Sequence, residues 1–421
     1  MATQYVPEGI PFLRSLNVEP LRVKTADMKF ISADFHERLK KSALAPGDVV
    51  IVRTGKPGAC VVIPDWLPVA NCSDVVIVRC GQNLSPHFLA YYVNAIAQDH
   101  VSAHLVGAVQ QHFNVGAARK IKIPLPPIGV QEQITAVLRA FDQRIDVLED
   151  QNKALEAIAR AIFKSWFVDF DPVRAKAEGR EPEGMDNATA ALFPSEFSDS
   201  RLGIIPRGWS VRKIEELADK VGMGPFGSSI KVETFVPTGV PIISGNHLRT
   251  FLLEDSTHNF ITEDHAQRLV KANVFADDIV FTHAGNIGNV SLIPESPRYP
   301  AYVISQRQFF MRCNLSEITP RYVVLYFTSD FGRHRLLANA SSVGVPSIAR
   351  PVTYLRSLEL LVPARRILER FDDLVGPLFR SIERNRKHID TLREIRDTLL
   401  PRLISGKLRV PEAEKMAEAV I

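Results

Sequence analysis

One stretch of this sequence occurs twice: Asp48-Val49-Val50 returns 230 positions later as Asp278-Ile279-Val280. Further matches at this offset are Phe30-Ile31 with Phe260-Ile261, Arg38-Leu39 with Arg268-Leu269, Gly55 with Gly285, Gly58 with Gly288, and Pro64 with Pro294. Later in the chain the offset grows to 237, at which Gly107 matches Gly344 and Pro126 matches Pro363. An ordered series of matches with a slowly growing offset indicates an internal duplication.

The offset of more than 200 residues, in a chain of 421, excludes a short-repeat solenoid and predicts two complete units. Each unit opens with short β-rich runs that Gly and Pro interrupt, together with a helical patch such as Pro86–Ala97. The β-rich runs are Val49–Val52, Val75–Val78, Ile279–Thr282 and Gln308–Arg312. We therefore predict that both globular parts have an α+β fold.

A segment in which apolar residues recur at alternating steps of four and three follows each globular part. The first series is Ile134, Leu138, Phe141, Ile145, Leu148, Asn152, Leu155, Ala159 and Ile162. The second is Phe371, Val375, Leu378, Ile382, Asn385, Ile389, Leu392, Arg396 and Leu399. This spacing is typical of coiled coils and predicts two long helices. Because the seams are copies within one chain, we expect them to pack antiparallel on each other, with a globular domain at each end.

Two details of these helices leave local questions. Each seam contains one asparagine, Asn152 or Asn385, which either sets the helix register through a polar contact or is rotated toward solvent. Gly376-Pro377 is expected to start, kink or break the second helix, so that its regular part runs from Pro377 onward. Between the two units, residues 168–205 show scattered prolines and no sustained periodicity, which predicts a linker that is at most partly ordered.

Composition bounds the class of protein. Hydrophobic residues make up 46% and charged residues 23%, which describes a globular chain and not a disordered one. The net charge of +4 permits a nucleic-acid partner without requiring one. The four cysteines form no CxxC pair, so we expect reduced thiols and no metal site. The absence of a long apolar run or export signal predicts a cytoplasmic protein with no membrane contact.

Several motifs resemble the specificity subunits of Type I restriction–modification systems. Ile123-Pro124-Leu125-Pro126-Pro127 followed by Gln131-Glu132-Gln133 resembles that family's boundary between recognition domain and helix. The family's other characteristic segments are matched by residues 164–173 (KSWFVDFDPV), 206–209 (PRGW) and 401–408 (PRLISGKL). The resemblance covers nearly the whole chain, because the order and spacing of the motifs agree as well as their residues.

The resemblance implies a non-catalytic subunit that recognises an asymmetric, bipartite sequence in double-stranded DNA. It also implies docking to two methyltransferase subunits and to restriction/translocase subunits. The corresponding boundaries are a first target-recognition domain at 1–127, a first helix at 128–167, a linker at 168–205, a second recognition domain at 206–363, a second helix at 364–408 and a tail at 409–421. One departure is that the first domain lacks a counterpart of Trp209–Glu233, which puts its activity in doubt.

Catalytic motifs are not found in the sequence. It contains no Gly-rich cofactor loop after a strand, no Asn-Pro-Pro-aromatic motif and no phosphate loop, so we expect no catalytic residue and no cofactor. Three alternatives remain at this stage: a freestanding architectural or regulatory DNA-binding protein, a fused methyltransferase, and a coiled-coil scaffold. Adjacent methyltransferase genes, a cofactor-binding assay and a DNA-binding assay would distinguish them.

Polar and cationic loop residues are the candidates for DNA contact, because Lys and Arg bind phosphates while Arg, Gln and Asn bind base edges. In the first domain the candidates are Lys56, Gln110, Gln111, His112 and Asn114. In the second domain they are Gly227, Ser228, Ser229, Lys231, His283, Asn286, Gln306 and Arg307. For each loop, the alternative is a polar surface loop with no partner. We expect the second domain to be the more complete site.

Overall fold

The computed structural model describes residues 4–105, 112–227, 229–255, 257–341, 344–418 and 420. The chain divides into two compact units, one formed by Met1–Glu149 with Lys387–Ile421 and the other by Asp150–Arg386. Each unit contains one globular domain and a portion of both long helices. Among the helices described, none combines the length and the apolar character needed to cross a membrane.

The first globular domain is built from short strands and four short helices. Its strands are β1 (Tyr5–Val6), β2 (Ile10–Leu13), β3 (Val18–Glu19), β4 (Arg22–Val23), β5 (Lys29–Ile31), β6 (Ala43–Leu44), β7 (Val49–Val52), β8 (Cys60–Val62), β9 (Ala70–Cys72) and β10 (Val75–Val78). Its helices are α1 (Ala33–Arg38), α2 (Pro86–Ala95), α3 (Gln98–Ala103) and α4 (Val115–Ala118). The long helix α5 (Ile128–Phe167) follows.

The second half begins with α6 (Asp171–Ala177), α7 (Asn187–Leu192) and the hairpin of β11 (Phe197–Ser200) and β12 (Gly203–Pro206). Next come β13 (Ser210–Lys213), α8 (Ile214–Leu217), β14 (Ala218–Met223), β15 (Val240–Ile243), β16 (Phe260–Ile261), α9 (Glu263–Arg268), β17 (Asn273–Val274), β18 (Ile279–Thr282), β19 (Val290–Leu292), β20 (Tyr302–Ile304) and β21 (Gln308–Cys313). The remaining elements are α10 (Pro320–Thr328), α11 (Asp330–Leu337), β22 (Ala340–Ser341), β23 (Ser347–Ile348), α12 (Pro351–Ser357), β24 (Glu359–Val362), α13 (Arg365–Ile404) and α14 (Val410–Glu418).

The strand order confirms the duplication. In the first domain one sheet contains the order β5-β2-β9-β6, and in the second domain the corresponding order is β16-β15-β20-β17. In both sheets the second and third strands of this order are parallel, whereas the outer pairs are antiparallel. The two halves therefore share one α+β topology, as the sequence predicts.

A second sheet in each domain shows where the copies differ. In the second domain β21 pairs with β18 on one side and with β14 on the other. In the first domain β10 pairs with β7, and no second partner is present among the described residues. Likewise β24 pairs with β13, whereas residues 121–127 form no strand. One edge of β10 therefore has no β-partner within the described chain.

The central strands are apolar throughout because both of their faces are buried. All four residues of β7 are buried, with Val50 and Val52 in one core cluster and Val49 and Ile51 in another. In the second domain Val280 of β18 faces one cluster, and Ile279 and Phe281 face a second. Successive side chains of a strand point to opposite faces, so an apolar run with no alternation is the expected pattern for a strand between two layers.

The two heptad seams are buried and antiparallel, which confirms the predicted helix pair. In the first unit Ile134 to Leu148 of α5 share a core with Ile389 to Leu399 of α13. In the second unit Ala159 and Phe163 of α5 lie in a core with Phe371 and Ile382 of α13. Within each unit the contact partners run in opposite directions along the two helices. In the first unit Arg393 contacts Glu149 and Arg396 contacts Asp142. In the second unit Phe371 contacts Phe167 and Asn385 contacts Asn152.

The two seam asparagines contact each other. Nδ2 of Asn385 donates to Oδ1 of Asn152 at 2.9 Å, and Asn152 is 8% exposed. This geometry favours the register-setting interpretation over rotation toward solvent. An alignment shifted by one heptad would bury an amide without a partner.

Replacing one seam asparagine is expected to destabilise the protein more than replacing both. Asn385→Leu leaves the buried Asn152 amide without its partner, which costs about 1–3 kcal/mol. The double variant Asn152→Leu/Asn385→Leu removes both polar groups and is expected to be near neutral or stabilising. Denaturant unfolding of the two single variants and the double variant measures the coupling. Additive losses in the double variant would contradict a paired contact.

Two local expectations were wrong. Helix α13 begins at Arg365 and continues through Gly376-Pro377, because Ile367, Phe371 and Val375 before the proline are fully buried and hold the first turns against the core. Their burial outweighs the roughly 3 kcal/mol that an internal proline costs. The segment 168–205 is more ordered than predicted, since it forms two helices and most of the β11–β12 hairpin, with Val173 and Phe193 buried in the core of the second unit.

Candidate DNA interface

Several strand ends of the second domain meet at one edge. Because β21 is antiparallel to both β14 and β18, its first residues lie beside the last residues of these two strands. The backbone bonds Gly224 N–H to Gln308 O and His283 N–H to Arg307 O, both 2.9 Å, extend the ladders into the loops. A third bond of 2.9 Å, from Ser305 N–H to Ile243 O, joins the end of β15. Pairing therefore brings three sequence-distant loops together.

The loop after β14 is held close to the loop before β21. A Cβ added to Gly224 would lie 2.0 Å from the carbonyl oxygen of Ser305, so only glycine allows this approach. A Cβ on Gly227 would lie 2.8 Å from Oε1 of Gln306. The predicted candidates Gly227 and Gln306 are thus neighbours, and the glycines serve close backbone packing.

Exposed polar side chains surround this contact. Lys231, Asn286, Gln306 and Arg307 are all exposed, and Nη1 of Arg307 lies 3.5 Å from the position of a Cβ on Gly285. These groups include a cation and amides that can bind phosphates and base edges. Ser229 is partly buried, its backbone N–H donates to Phe226 O, and its carbonyl accepts from Nε2 of His265 at 2.8 Å. Ser228 lies outside the described residues.

His283 has a structural partner. Its Nε2 lies 3.1 Å from the carbonyl oxygen of Gln306, so the ring bridges two of the converging loops. Burial lowers the pKa of His283 below its ordinary value, which favours the neutral imidazole at pH 7. This side chain therefore positions Gln306 and Arg307.

Sequence reasoning missed a fourth loop, residues 344–348. The N–H of Gly285 donates to Pro346 O at 3.0 Å, and Ile348 N–H donates to His283 O at 2.8 Å. Val345 in this loop is 64% exposed. The match of Gly107 with Gly344 marked this position in the sequence, but Gly107 lies outside the described residues and nothing local indicated which other loops residues 344–348 contact.

A polar depression of about 300 Å³ beside these loops was also missed. It is lined by Ile242, Ser244, Asn246, His247, Arg249, Thr257 and Asn259. Asn246 and Arg249 are exposed and could bind a nucleic acid. Nothing in the sequence indicated that these two residues lie near Asn259. They are on the turn after β15, and Asn259 follows ten or more positions later.

A buried histidine–aspartate pair supports the floor of this depression. The rings of His247 and His258 stack with centroids 4.2 Å apart, and Nε2 of His258 lies 2.9 Å from Oδ1 of Asp255. Burial alone would raise the pKa of Asp255, but hydrogen bonds from His258 and Tyr302 outweigh it and lower the pKa. Burial and the neighbouring His258 lower the pKa of His247. Stacking and hydrogen bonding therefore hold both rings in fixed positions, and one of them, His247, lines the depression.

The first domain repeats part of this arrangement. Thr54 and His112 form a β-bridge, with Oγ1 to Nδ1 at 2.9 Å, at the place of the Ala284–Ser347 bridge in the second domain. Lys56 is exposed on the turn next to Thr54. Asn114 is the N-cap of α4, since its Oδ1 accepts from Ala117 N–H at 2.9 Å. That bond gives Asn114 a structural role, and Gln110 and Gln111 lie outside the described residues.

Within the described ranges, no three His, Cys, Asp or Glu side chains are grouped as metal ligands would be. Burial raises the pKa values of Cys60, Cys72 and Cys313, which leaves these thiols protonated and unreactive at neutral pH. The interface consists of binding groups on anchored loops.

Comparison with known proteins agrees with this geometry. A family profile described as the Type I restriction modification DNA specificity domain matches residues 6–157. The chain is 26% identical to the MjaIX specificity subunit of Methanocaldococcus jannaschii over 304 residues, which are 70% of this chain and 62% of that protein. It is 25% identical to the HindI specificity subunit of Haemophilus influenzae over 327 residues, 68% of this chain and 69% of that protein.

The fold has a counterpart among solved structures. The Type I restriction–modification S subunit from M. genitalium aligns with 96% of this chain and 91% of its own, at a TM-score of 0.51 and 15% identity. The duplicated α+β domains and the paired long helices are thus a fold that this chain shares with that S subunit. In sequence, the chain is similar to the specificity subunits of Type I restriction–modification systems.

Proposed function

We propose that this chain recognises an asymmetric, bipartite target in double-stranded DNA for a Type I restriction–modification complex. The observation that carries the proposal is the convergence of four anchored loops in the second domain, with exposed Lys231, Asn286, Gln306 and Arg307. Phosphate contacts from the cations would position the domain, and amide or guanidinium contacts to base edges would specify sequence.

The proposed division of labour follows from the binding character of the interface. Domains at 1–127 and 206–363 would each recognise one half-site, and the helices at 128–167 and 364–408 would set the gap between half-sites. Two methyltransferase subunits and the restriction/translocase subunits would carry the catalytic sites and dock to this chain in the cytoplasm. The family's specificity subunits favour this role over a freestanding regulator of transcription or DNA architecture.

Replacing Gln306 and Arg307 by alanine is expected to weaken recognition of one half-site. Each good contact to a base edge contributes about 1–3 kcal/mol of discrimination, so modification should fall at least tenfold or become relaxed at one or two base pairs of that half-site. Methylome sequencing of cells carrying the intact system, with wild-type or variant subunit, measures both outcomes. Arg298→Ala, an exposed arginine outside the four loops, is the matched control. An unchanged methylome in the double variant would refute this site.

Lengthening both helices is expected to lengthen the unspecified gap. Four residues inserted at equivalent seam positions of α5 and α13 add about 6 Å of helix, close to two base pairs along the duplex. The measurement is the spacing between half-sites in the methylated sequences. An insertion in α5 alone should disrupt seam packing and reduce modification without a defined new gap. If the double insertion left the gap unchanged, the helices would not set the spacing.

A further inference from the structure

Phe226 is the most exposed large apolar side chain of the described residues, with 89% of its surface accessible. Other phenylalanines at the surface have partners: Phe331 packs against Tyr326, and Arg312 lies over the Phe275 ring at 5.2 Å. Within the described chain, no aromatic or cationic group contacts the Phe226 ring. Nothing in the fold therefore accounts for an aromatic residue here.

The backbone on both sides of this ring is held in place. Gly224 donates to Gln308 O at 2.9 Å, and the 2.0 Å approach of its absent Cβ to Ser305 O keeps the loop against the strand end. The N–H of Ser229 donates to the backbone carbonyl oxygen of Phe226 at 2.8 Å, which closes a backbone turn that begins at Phe226. Pro225 restricts the preceding backbone. Phe226 is thus presented to solvent from an anchored turn.

The neighbours of the ring identify what it would contact. Gly227 lies against the exposed Gln306, and Arg307 and Lys231 are exposed on the same group of loops. Val345 on the converging loops and Met223 and Val232 at the two ends of the Phe226 loop are also exposed, so apolar exposure alone does not separate a protein contact from a DNA contact. The charged and amide groups around the ring make that distinction. An aromatic ring among cations and amides suits a nucleic acid, whose bases offer flat faces within a charged backbone.

We propose that Phe226 inserts into the target duplex as an apolar wedge and stacks on an unstacked base at the second half-site. This inference rests on the proposed function and deepens it. Apolar side chains inserted between base steps separate the stacked pairs and kink the duplex.

The wedge is tested in the assembled methyltransferase complex on a 40-base-pair duplex carrying the sequence that the methylome identifies. Permanganate oxidation of unstacked thymines, or 2-aminopurine fluorescence at each position in turn, locates a disrupted step. The wild type is expected to show one such step in the half-site of the second domain, in addition to the target bases that the methyltransferase subunits flip out of the duplex. Phe226→Ala is expected to abolish it at equal occupancy and to weaken binding about 10- to 100-fold. Phe226→Trp, which retains a stacking ring, should preserve it.

Phe331→Ala, at a 51% exposed phenylalanine outside the converging loops, is the matched control and should leave the disrupted step unchanged. A wild-type complex in which every base other than the flipped methylation targets stays stacked, or a Phe226→Ala variant that keeps the additional disrupted step, would overturn the wedge and leave the proposed function intact. Loss of methyltransferase assembly in Phe226→Ala would instead assign the ring to a protein contact. A wild-type complex without sequence preference would overturn the proposed function and the wedge with it.

Discussion

Asp278→Asn is expected to lower the free energy of unfolding around the second interface by about 2–4 kcal/mol. Asp278 is completely buried and accepts from Nε and Nη2 of Arg312 at 2.7 and 2.6 Å, and from Phe275 N–H at 2.9 Å. Burial raises the pKa of Asp278 even though Arg312 opposes that shift. The ion pair therefore does not fully offset its own desolvation, but removing one partner leaves the other charge uncompensated.

The duplication supplies a matched control in the same chain. Asp48 occupies the equivalent position of the first domain and accepts from Ala45 N–H at 3.1 Å, as Asp278 does from Phe275. From Arg79, however, it accepts a single bond, from Nε at 3.2 Å, and the Arg79 side chain is 62% exposed. Water can solvate that guanidinium after Asp48→Asn, so the loss is expected to be about 1 kcal/mol or less.

Hydrogen exchange of the full chain distinguishes the two variants locally. Asp278→Asn should accelerate exchange in β18 and β21, and Asp48→Asn should have a smaller effect in β7 and β10. Because the Ser305–Gln308 turn leads directly into β21, Asp278→Asn should also loosen the loops of the second interface. Equal acceleration in both domains would show that the loss of folding stability does not depend on burial of the carboxylate or on its bidentate pairing with arginine.

Phe371→Ala is expected to cost about 3–5 kcal/mol of stability in the second unit. Phe371 is fully buried, and its ring lies 6.2, 5.9 and 4.9 Å from those of Phe163, Trp166 and Phe167, respectively. These partners lie on α5 and Phe371 on α13, so the cavity would open between the two helices. Edge-to-face pairs add to the loss beyond the area that becomes exposed.

Denaturant unfolding of the full chain measures this loss. Phe371→Leu keeps most of the apolar volume and is expected to cost about 1–2 kcal/mol, which separates the cavity from a general intolerance of substitution. Phe331→Ala, at a half-exposed ring of the same unit, should cost less than either. A loss below 1 kcal/mol in Phe371→Ala would mean that the aromatic cluster does not hold the helices together.

The candidate site was predictable where its chemistry is contiguous in the sequence. The Gly224–Lys231 loop, His283–Asn286 and Gln306-Arg307 each combine turn residues with polar groups beside a strand, and strand pairing brings these loops together. The loop at 344–348 and the depression around Asn246 were missed because their neighbours lie far away in sequence. The roles of His283 and Asn114 were also hidden, since a bridging hydrogen bond and a helix cap depend on local backbone geometry.

Helix α13 also shows that local sequence signals do not by themselves determine the structure. Gly376-Pro377 predicts an interruption by every local rule, yet the helix passes through it because buried residues on both sides pack into one core. Similarly, residues 168–205 lack periodicity but become ordered when Val173 and Phe193 enter the core of the second unit. The intrinsic preference of a residue for helix or coil is weak, so burial of neighbouring side chains in the core can override it.

The sequence alone determined that the chain contains two copies of one α+β unit and two heptad helices, because duplication and apolar spacing are visible in residue order. Tertiary structure alone decided which loops form one surface, how the two seam asparagines pair, and that β10 has one partner where β21 has two. The physical reason is that periodicity is a property of neighbouring residues. Strand pairing and burial depend on contacts between residues far apart in the chain, whose energies no local pattern records.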